Sequence, residues 1–279
     1  MRFKYVDDLT ILELVLFGGL LMEYDFKLHV ASDIGIEEHY ISADNLETQA
    51  HLDDISHWTT ENKMKLNVKK SNYMVFTRSN TEFATRLHLN NHTLDRIEEV
   101  KLLGVWITTW LDWDKNTREI CKKAYARMTM FTKLKYVGVD RTDLIDIYVL
   151  YIRSLLEYCS TVWHSTLTEE QSRNVENVQK TCVKIILGGE YNGYEQSLKA
   201  LGLETLKVRR ENKRLSFGLK CLLHPEHSSM FPVNPQLGQS VPTRHKEHFK
   251  VNKAHSESYR TSTIPYIQQK LNSYAHNRK

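Results

Sequence analysis

Paired cysteines, long apolar runs and a strong excess of either charge are all missing from this sequence. The four cysteines, Cys121, Cys159, Cys182 and Cys221, lie far apart with no CxxC pair. No secretory signal is read ahead of them, so reduced, intracellular thiols are the expectation. The most apolar segment, Leu9 to Met22, is interrupted by Glu13 and two glycines. It falls short of the about 20 residues a spanning helix needs, and neither a membrane span nor a targeting peptide is expected. A formal net charge of +4 tolerates a polyanion without marking a dedicated nucleic-acid clamp. No internal repeat interrupts the reading.

What is present is enough for a folded core. The 279 residues are 41% hydrophobic and 26% charged, which suits one large domain or two small ones. The richest stretch is Tyr5-Val6-Asp7-Asp8, two adjacent carboxylates framed by Phe3, Tyr5, Val6 and the run Leu9 to Leu12. Apolar β-formers on both sides predict a hairpin, and an Asp pair at its tip presents oxygen ligands suited to a hard cation.

Beyond a mixed segment, Phe17 to Tyr40, the pattern turns helical from Ser42 to about Lys65, with Leu46, Ile55, Trp58 and Met64 near helical spacing. Tyr73 to Thr77 reads as β-rich. Arg86 to Leu89 followed by Asn90-Asn91 predicts a hairpin through a left-handed turn, and Val100 to Ile107 a further strand containing Gly104. From there the chain changes character. Asp112 to Tyr136 is a long helical pattern rich in Lys and Arg, and Asp140 is placed to cap a second helix with an apolar face of Leu144, Ile147, Tyr148, Tyr151, Ile152 and Leu155. Thr168 with Gln171 predicts a capping box for a third helix ending at Gly188-Gly189, and a fourth runs from about Thr205 to Leu223. After His224, prolines, histidines and polar residues predict a mostly irregular tail, with one apolar cluster at Ile264-Pro265-Tyr266-Ile267.

In order, Tyr5-Val6-Asp7-Asp8, Leu66-Asn67-Val68-Lys69-Lys70-Ser71 and Lys101-Leu102-Leu103-Gly104-Val105 resemble three successive palm motifs of reverse transcriptases. Ile152-Arg153-Ser154-Leu155-Leu156-Glu157-Tyr158 with Val162-Trp163-His164 is similar to the region after the palm in non-LTR (LINE-type) retrotransposon polyproteins. The resemblance covers roughly the first 220 residues. It implies an α+β chain: a partial polymerase palm of mixed α/β structure with antiparallel strands over 1–110, an all-helical thumb-like region over 111–165, a helical C-terminal extension over 166–223 and the tail over 224–279.

The activity implied is RNA-directed DNA synthesis, a magnesium-dependent nucleotidyl transfer with an RNA template and a DNA primer as partners. In that family Asp7 and Asp8 are catalytic metal ligands of a two-metal site. Lys70, also catalytic, lies near the incoming phosphates beside Asn67 and Lys69, and Tyr5 lies with the nucleic acid. Leu103-Gly104 corresponds to the primer-grip hairpin, where a glycine lets a nucleic-acid backbone approach. Lys122, Lys123, Arg127, Lys133 and Lys135 would follow the phosphates of a duplex. The family's palm has a further aspartate strand and finger residues ahead of the Tyr-Val-Asp-Asp hairpin, and this chain starts after both, so a C-terminal fragment inactive by itself is the expectation.

Blander readings run alongside. Lys69 and Lys70 suit a solvated strand edge, and the basic residues of 122–135 suit the wet face of an amphipathic helix. Cys221, His224 and His227 lack the second cysteine pair a zinc site needs. Cys159, Cys182 and His164 read as buried small residues and a helix-end histidine, and Trp106, Trp110, Trp113 and Trp163 as packing residues. A non-catalytic nucleic-acid-binding module and a non-functional remnant of a degraded element stay open as alternatives.

Overall fold

The computed structural model describes residues 47–76, 86–228, 231–232, 249–251 and 257–276. Tyr5, Asp7, Asp8 and the expected N-terminal hairpin lie outside the described residues. So do Ser42 and the start of the first expected helix. The described structure is mostly helical with a few small strands, an α+β mix. It divides into two compact units, 1–100 and 101–279.

In the first unit, α1 (Glu47–Glu61) stands over a small set of short strands. β2 (His88–Leu89) and β3 (His92–Thr93) pair antiparallel, His88 opposite Thr93. Asn90 and Asn91 take φ of 49° and 63° at the connection, as two-residue hairpins require and as the Asn-Asn pair predicts. β1 (Asn72–Tyr73) is shorter than the β-rich run suggests, and it pairs parallel with β4 (Asp95–Arg96). Strands this short cannot bury much alone. Their support is a cluster of Leu87, Leu89 and Leu94 packed by Leu52, Leu66, Val68 and Tyr73. Gln49 of α1 completes it, donating through Nε2 to the His88 carbonyl (3.0 Å) and accepting from the His88 N–H through Oε1 (2.9 Å).

β5 (Glu99–Leu102) and β6 (Val105–Thr108) form a two-stranded sheet. The single strand expected over Val100 to Ile107 is thus a hairpin that turns at Leu103-Gly104, because both residues adopt positive φ, 45° and 88°.

The core of the second unit is helical. α2 (Asp114–Tyr136) buries Ala124, Met128 and Phe131, spaced i, i+4, i+7. α6 (Glu169–Leu187) buries Val175, Val178, Cys182 and Ile186, and the two helices pack together with α3 (Arg141–Ile147). α7 (Tyr194–Ala200) closes one side through Leu198. Each fully buried side chain of this size contributes about 1.5–3 kcal/mol. The capping box is formed: Thr168 Oγ1 accepts from the Gln171 N–H (3.1 Å) and Gln171 Oε1 from the Thr168 N–H (3.0 Å). Asp140 occupies the N-cap of α3, but its side chain makes no capping hydrogen bond.

The helix expected after Asp140 is not continuous. It widens into a π turn over Tyr148–Arg153, continues as α4 (Ser154–Glu157), breaks at Tyr158 and resumes as α5 (Ser160–Trp163). In a π turn the 3.6-residue register slips, so side-chain donors take carbonyls that the regular ladder would use. Ser154 Oγ donates to the Leu150 carbonyl (2.7 Å), and the Arg127 guanidinium donates to that of Tyr151. Tyr151, expected on the apolar face, is consequently exposed, while Tyr148 and Ile152 are buried.

α8 (Leu206–Leu223) begins at Thr205, whose Oγ1 accepts from the Val208 N–H (3.3 Å). Part of the expected irregular tail is helical: α9 (Glu257–Thr261) and α10 (Thr263–His276). Ile267 of α10 is fully buried with Cys221 and Phe231. Trp113 and Trp163 are buried as expected, whereas Trp110 is 62% exposed; it follows β6, away from the helical core residues. Among the described residues no helix is long and apolar enough to cross a membrane.

Candidate functional site

The tip of the β5–β6 hairpin is the best-defined place among the expected site residues. Two neighbouring positive-φ residues are the signature of the tight turn that follows strand twist. A leucine there is strained, since side chains other than glycine disfavour the left-handed region by about 1–2 kcal/mol. Leu103 nevertheless stands 68% exposed at the tip. Tyr158 holds it: the phenol donates to the Leu103 carbonyl at 2.9 Å. The ring lies so close to residue 104 that a Cβ there would be 3.2 Å from Tyr158 Cε1. Gly104 is required twice, by its φ and by the ring.

Tyr158 is itself fixed by its surroundings. It is extended at the end of α4, and Cys159 follows with φ of 47°. The Tyr158 carbonyl, released from the helix, accepts from Trp163 Nε1 at 2.9 Å. On the preceding residue, the buried Glu157 carboxylate accepts from Arg209 Nε (2.6 Å) and Nη2 (3.3 Å) and from Lys213 Nζ (2.8 Å), with Arg153 Nε at 3.9 Å. Burial alone would raise the Glu157 carboxyl; the hydrogen bonds and charges of Arg209 and Lys213 outweigh it and hold the group below the ordinary carboxylate value.

α2 separates the five expected phosphate-tracking cations. Lys122, Lys123 and Lys133 are exposed. Lys122 and Lys133 fall on one face, about three turns apart and opposite Ala124, Met128 and Phe131. Arg127 is instead engaged with Tyr151, its guanidinium carbon 4.2 Å from that ring's centroid. Lys135 Nζ donates to the Ile186 carbonyl at 2.9 Å, at the end of α6. A helix C-terminus offers unpaired carbonyls and a negative partial charge, which a lysine satisfies.

In the other unit, Asn67, Lys69 and Lys70 are exposed around a single 3-10 turn, Val68–Lys70. The Lys70 N–H donates to the Asn67 carbonyl (3.0 Å) and Ser71 Oγ to the same oxygen (3.1 Å). Val68 alone points to the leucine cluster. Both lysines are thereby presented outward, as a nucleotide contact or a solvated edge equally requires.

A second polar cluster lies inside the helical unit. Arg210 is fully buried, and its Nε donates to His164 Nδ1 at 3.2 Å. His164 Nε2 faces Glu211 Oε2 at 3.5 Å, and Arg214 Nη1 donates to that same oxygen at 3.3 Å. Burial first, then the charges of Arg210, Arg214 and Lys207, push the His164 pKa down to about 3. It is a neutral acceptor for Arg210, more than the helix-end histidine expected. Deeper still, Gln179 Nε2 donates to Tyr194 Oη (2.8 Å) and the Glu204 carbonyl (3.0 Å), while its Oε1 accepts from Tyr148. Glu176 accepts from the Leu206 N–H (3.1 Å), tying the start of α8 to α6. The Gln179 and Glu176 contacts fix the packing of α6, α7 and α8, whereas both Nη atoms of Arg210 and Nε of Arg214 are buried without a hydrogen-bond partner.

Residues missed in the sequence are the partners of Glu157 and His164. A signal for them exists. Arg209/Lys213 and Arg210/Arg214 are i, i+4 pairs, so α8 carries two adjacent cationic stripes, one of them on the face toward the core. Buried cations demand carboxylates or acceptors from elsewhere, but nothing local says which.

Among the described residues no group of three His, Cys, Asp or Glu side chains could hold a metal ion. The expected magnesium ligands lie outside those residues, and magnesium chemistry rests on the resemblance alone. No protein-family model, curated protein or solved structure matches this chain.

Proposed function

We propose that this chain carries part of a non-LTR-type reverse transcriptase, an RNA-directed DNA polymerase and nucleotidyltransferase, and that the described residues supply nucleic-acid positioning. The order of the Tyr5, Asn67 and Leu103 motifs carries the reading. It is supported by an exposed, glycine-bearing hairpin tip at Leu103-Gly104 and by Lys122, Lys123 and Lys133 on the open side of α2. The turn stands exposed where a phosphate backbone could reach it, the space beside Gly104 being filled by the Tyr158 ring, and exposed lysines supply the charge that displaces counterions from such a backbone. Where magnesium is bound by Asp7 and Asp8, it would activate the primer hydroxyl and neutralise the leaving pyrophosphate.

The test is binding of the purified chain to an RNA–DNA hybrid duplex across a salt titration. Affinity should fall steeply with salt, with a logarithmic slope of about 0.9 per phosphate neutralised on a B-form duplex. A flat response, or no binding at low salt, rules the reading out. Primer extension assigns the chemistry: magnesium-dependent incorporation that Asp7→Ala abolishes places catalysis in this chain. Binding without incorporation is the outcome expected of a fragment inactive by itself and equally of the non-catalytic module, for which the exposed lysines of α2 are the supporting observation.

A further inference from the structure

We infer that Tyr158 is a positioning residue for the Leu103-Gly104 tip, and that Glu157 is the anchor that lets it act; the inference rests on the nucleic-acid reading above. Two consecutive residues act in different places. Glu157 is buried and held by Arg209 and Lys213 of α8. Tyr158, 52% exposed, reaches the Leu103 carbonyl and covers Gly104. Between them the backbone leaves the helix, and Cys159 takes a left-handed conformation that non-glycine residues rarely adopt. A strained corner persists only when its surroundings over-determine it. Here Trp163 Nε1 holds the Tyr158 carbonyl from the other side at 2.9 Å.

The geometry has a purpose that packing does not supply. The tip itself buries nothing: Leu103 and Gly104 are both exposed. A two-residue turn with a leucine at positive φ, left alone, relaxes among alternatives. The phenol removes that freedom by bonding the one carbonyl at the summit of the turn. The result is a tip held in one conformation before a ligand arrives, which lowers the ordering cost of binding. The ligand class is a nucleic-acid duplex backbone, and the α8 cations contribute through Glu157 without reaching the tip.

The experiment compares the full chain with Tyr158→Phe and Gly104→Ala, three readouts on each: thermal midpoint, affinity for an RNA–DNA hybrid across a salt titration, and amide exchange over residues 101–106. Tyr158→Phe keeps the ring and loses one hydrogen bond, whose net worth is a factor of about two to ten. The expected result is a midpoint little changed, affinity about threefold or more weaker, an unchanged salt slope and faster exchange confined to the tip. Gly104→Ala attacks the same contact from the opposite side and should likewise weaken binding and speed exchange at the tip, but with a lower midpoint, because a Cβ at φ 88° is strained. Wild-type affinity in Tyr158→Phe overturns the inference. So does a salt slope lower by about one phosphate contact, which would make the phenol a direct ligand. Should the unaltered chain bind no hybrid, the nucleic-acid reading falls separately. Exchange then decides the positioning role by itself: a tip equally protected in both chains ends it.

Discussion

Ile267 fills a notch that exists because residue 218 is glycine. A Cβ built on Gly218 would lie 2.4 Å from Ile267 Cγ2 and 2.7 Å from its Cδ1. Glycine inside a helix costs about 1 kcal/mol relative to alanine, so propensity alone predicts that Gly218→Ala stabilises α8. The contact predicts the opposite, a loss of about 1–3 kcal/mol from overpacking. Ile267→Ala should cost about 2–5 kcal/mol, and the double variant less than the sum. Denaturant unfolding of the three variants measures this. A stabilised Gly218→Ala would show that α10 does not dock there.

The buried Glu157 carboxylate neutralises Arg209, whose side chain is 26% exposed, and the more exposed Lys213. Glu157→Gln leaves Arg209 and Lys213 facing an uncharged amide and should destabilise the chain by about 1.5–3 kcal/mol, the worth of charge-assisted hydrogen bonds whose cations stay partly solvated. Lys213→Ala should cost much less, because its side chain is 44% exposed. Equal effects in the two variants would contradict the arrangement.

His164 imposes a direction on the acid response. Its folded pKa is depressed to about 3 from the ordinary 6.5, so between those values the unfolded chain binds a proton that the folded chain refuses. Stability therefore falls as pH drops from 6.5 toward 3, with a slope of at most about 1.4 kcal/mol per pH unit, and is fully present above 6.5. Glu157, also depressed, acts in the same sense at lower pH: its contribution is present above the ordinary carboxylate value of 4.5 and is lost below it. His164→Asn, whose amide oxygen can still accept from Arg210, should flatten the profile between pH 6.5 and 5. An unchanged profile in unfolding experiments would show that His164 takes up its proton alike in the folded and unfolded chains.

The exposed lysines of α2 make a separable prediction. Replacing Lys122, Lys123 and Lys133 together by Gln should leave the thermal midpoint close to wild type, because none is buried. The salt slope for an RNA–DNA hybrid should drop by up to about three. Lys135→Gln should behave in reverse, lowering the midpoint through its lost bond to Ile186 while barely moving the slope. If Lys135 moves the slope as much as the exposed lysines do, the division of α2 into binding and structural cations is wrong.

Several elements were legible in the sequence because their causes are local. The Thr168–Gln171 capping box, the Asn90-Asn91 turn and the long basic helical pattern that became α2 depend on residues within a few positions of one another. The Tyr-Val-Asp-Asp motif belongs to the sequence alone, since Asp7 and Asp8 lie outside the described residues. The π turn at Tyr148–Arg153 was not legible, because the residues that stabilise it include Arg127, one helix away. Nor was α10: its composition reads as tail, and its apolar cluster acquires meaning only where Gly218 receives Ile267.

The sequence by itself determined the helix starts at Thr168 and Thr205, the Asn90-Asn91 turn and the resemblance, which follow from capping, short-range sterics and residue order. Only the tertiary structure decided which cations face solvent and which are consumed inside. It also decided that Tyr158 meets Leu103 and that His164 stays neutral. Those outcomes depend on desolvation and on partners 24 to 56 residues away, and neither leaves a periodic trace in the chain.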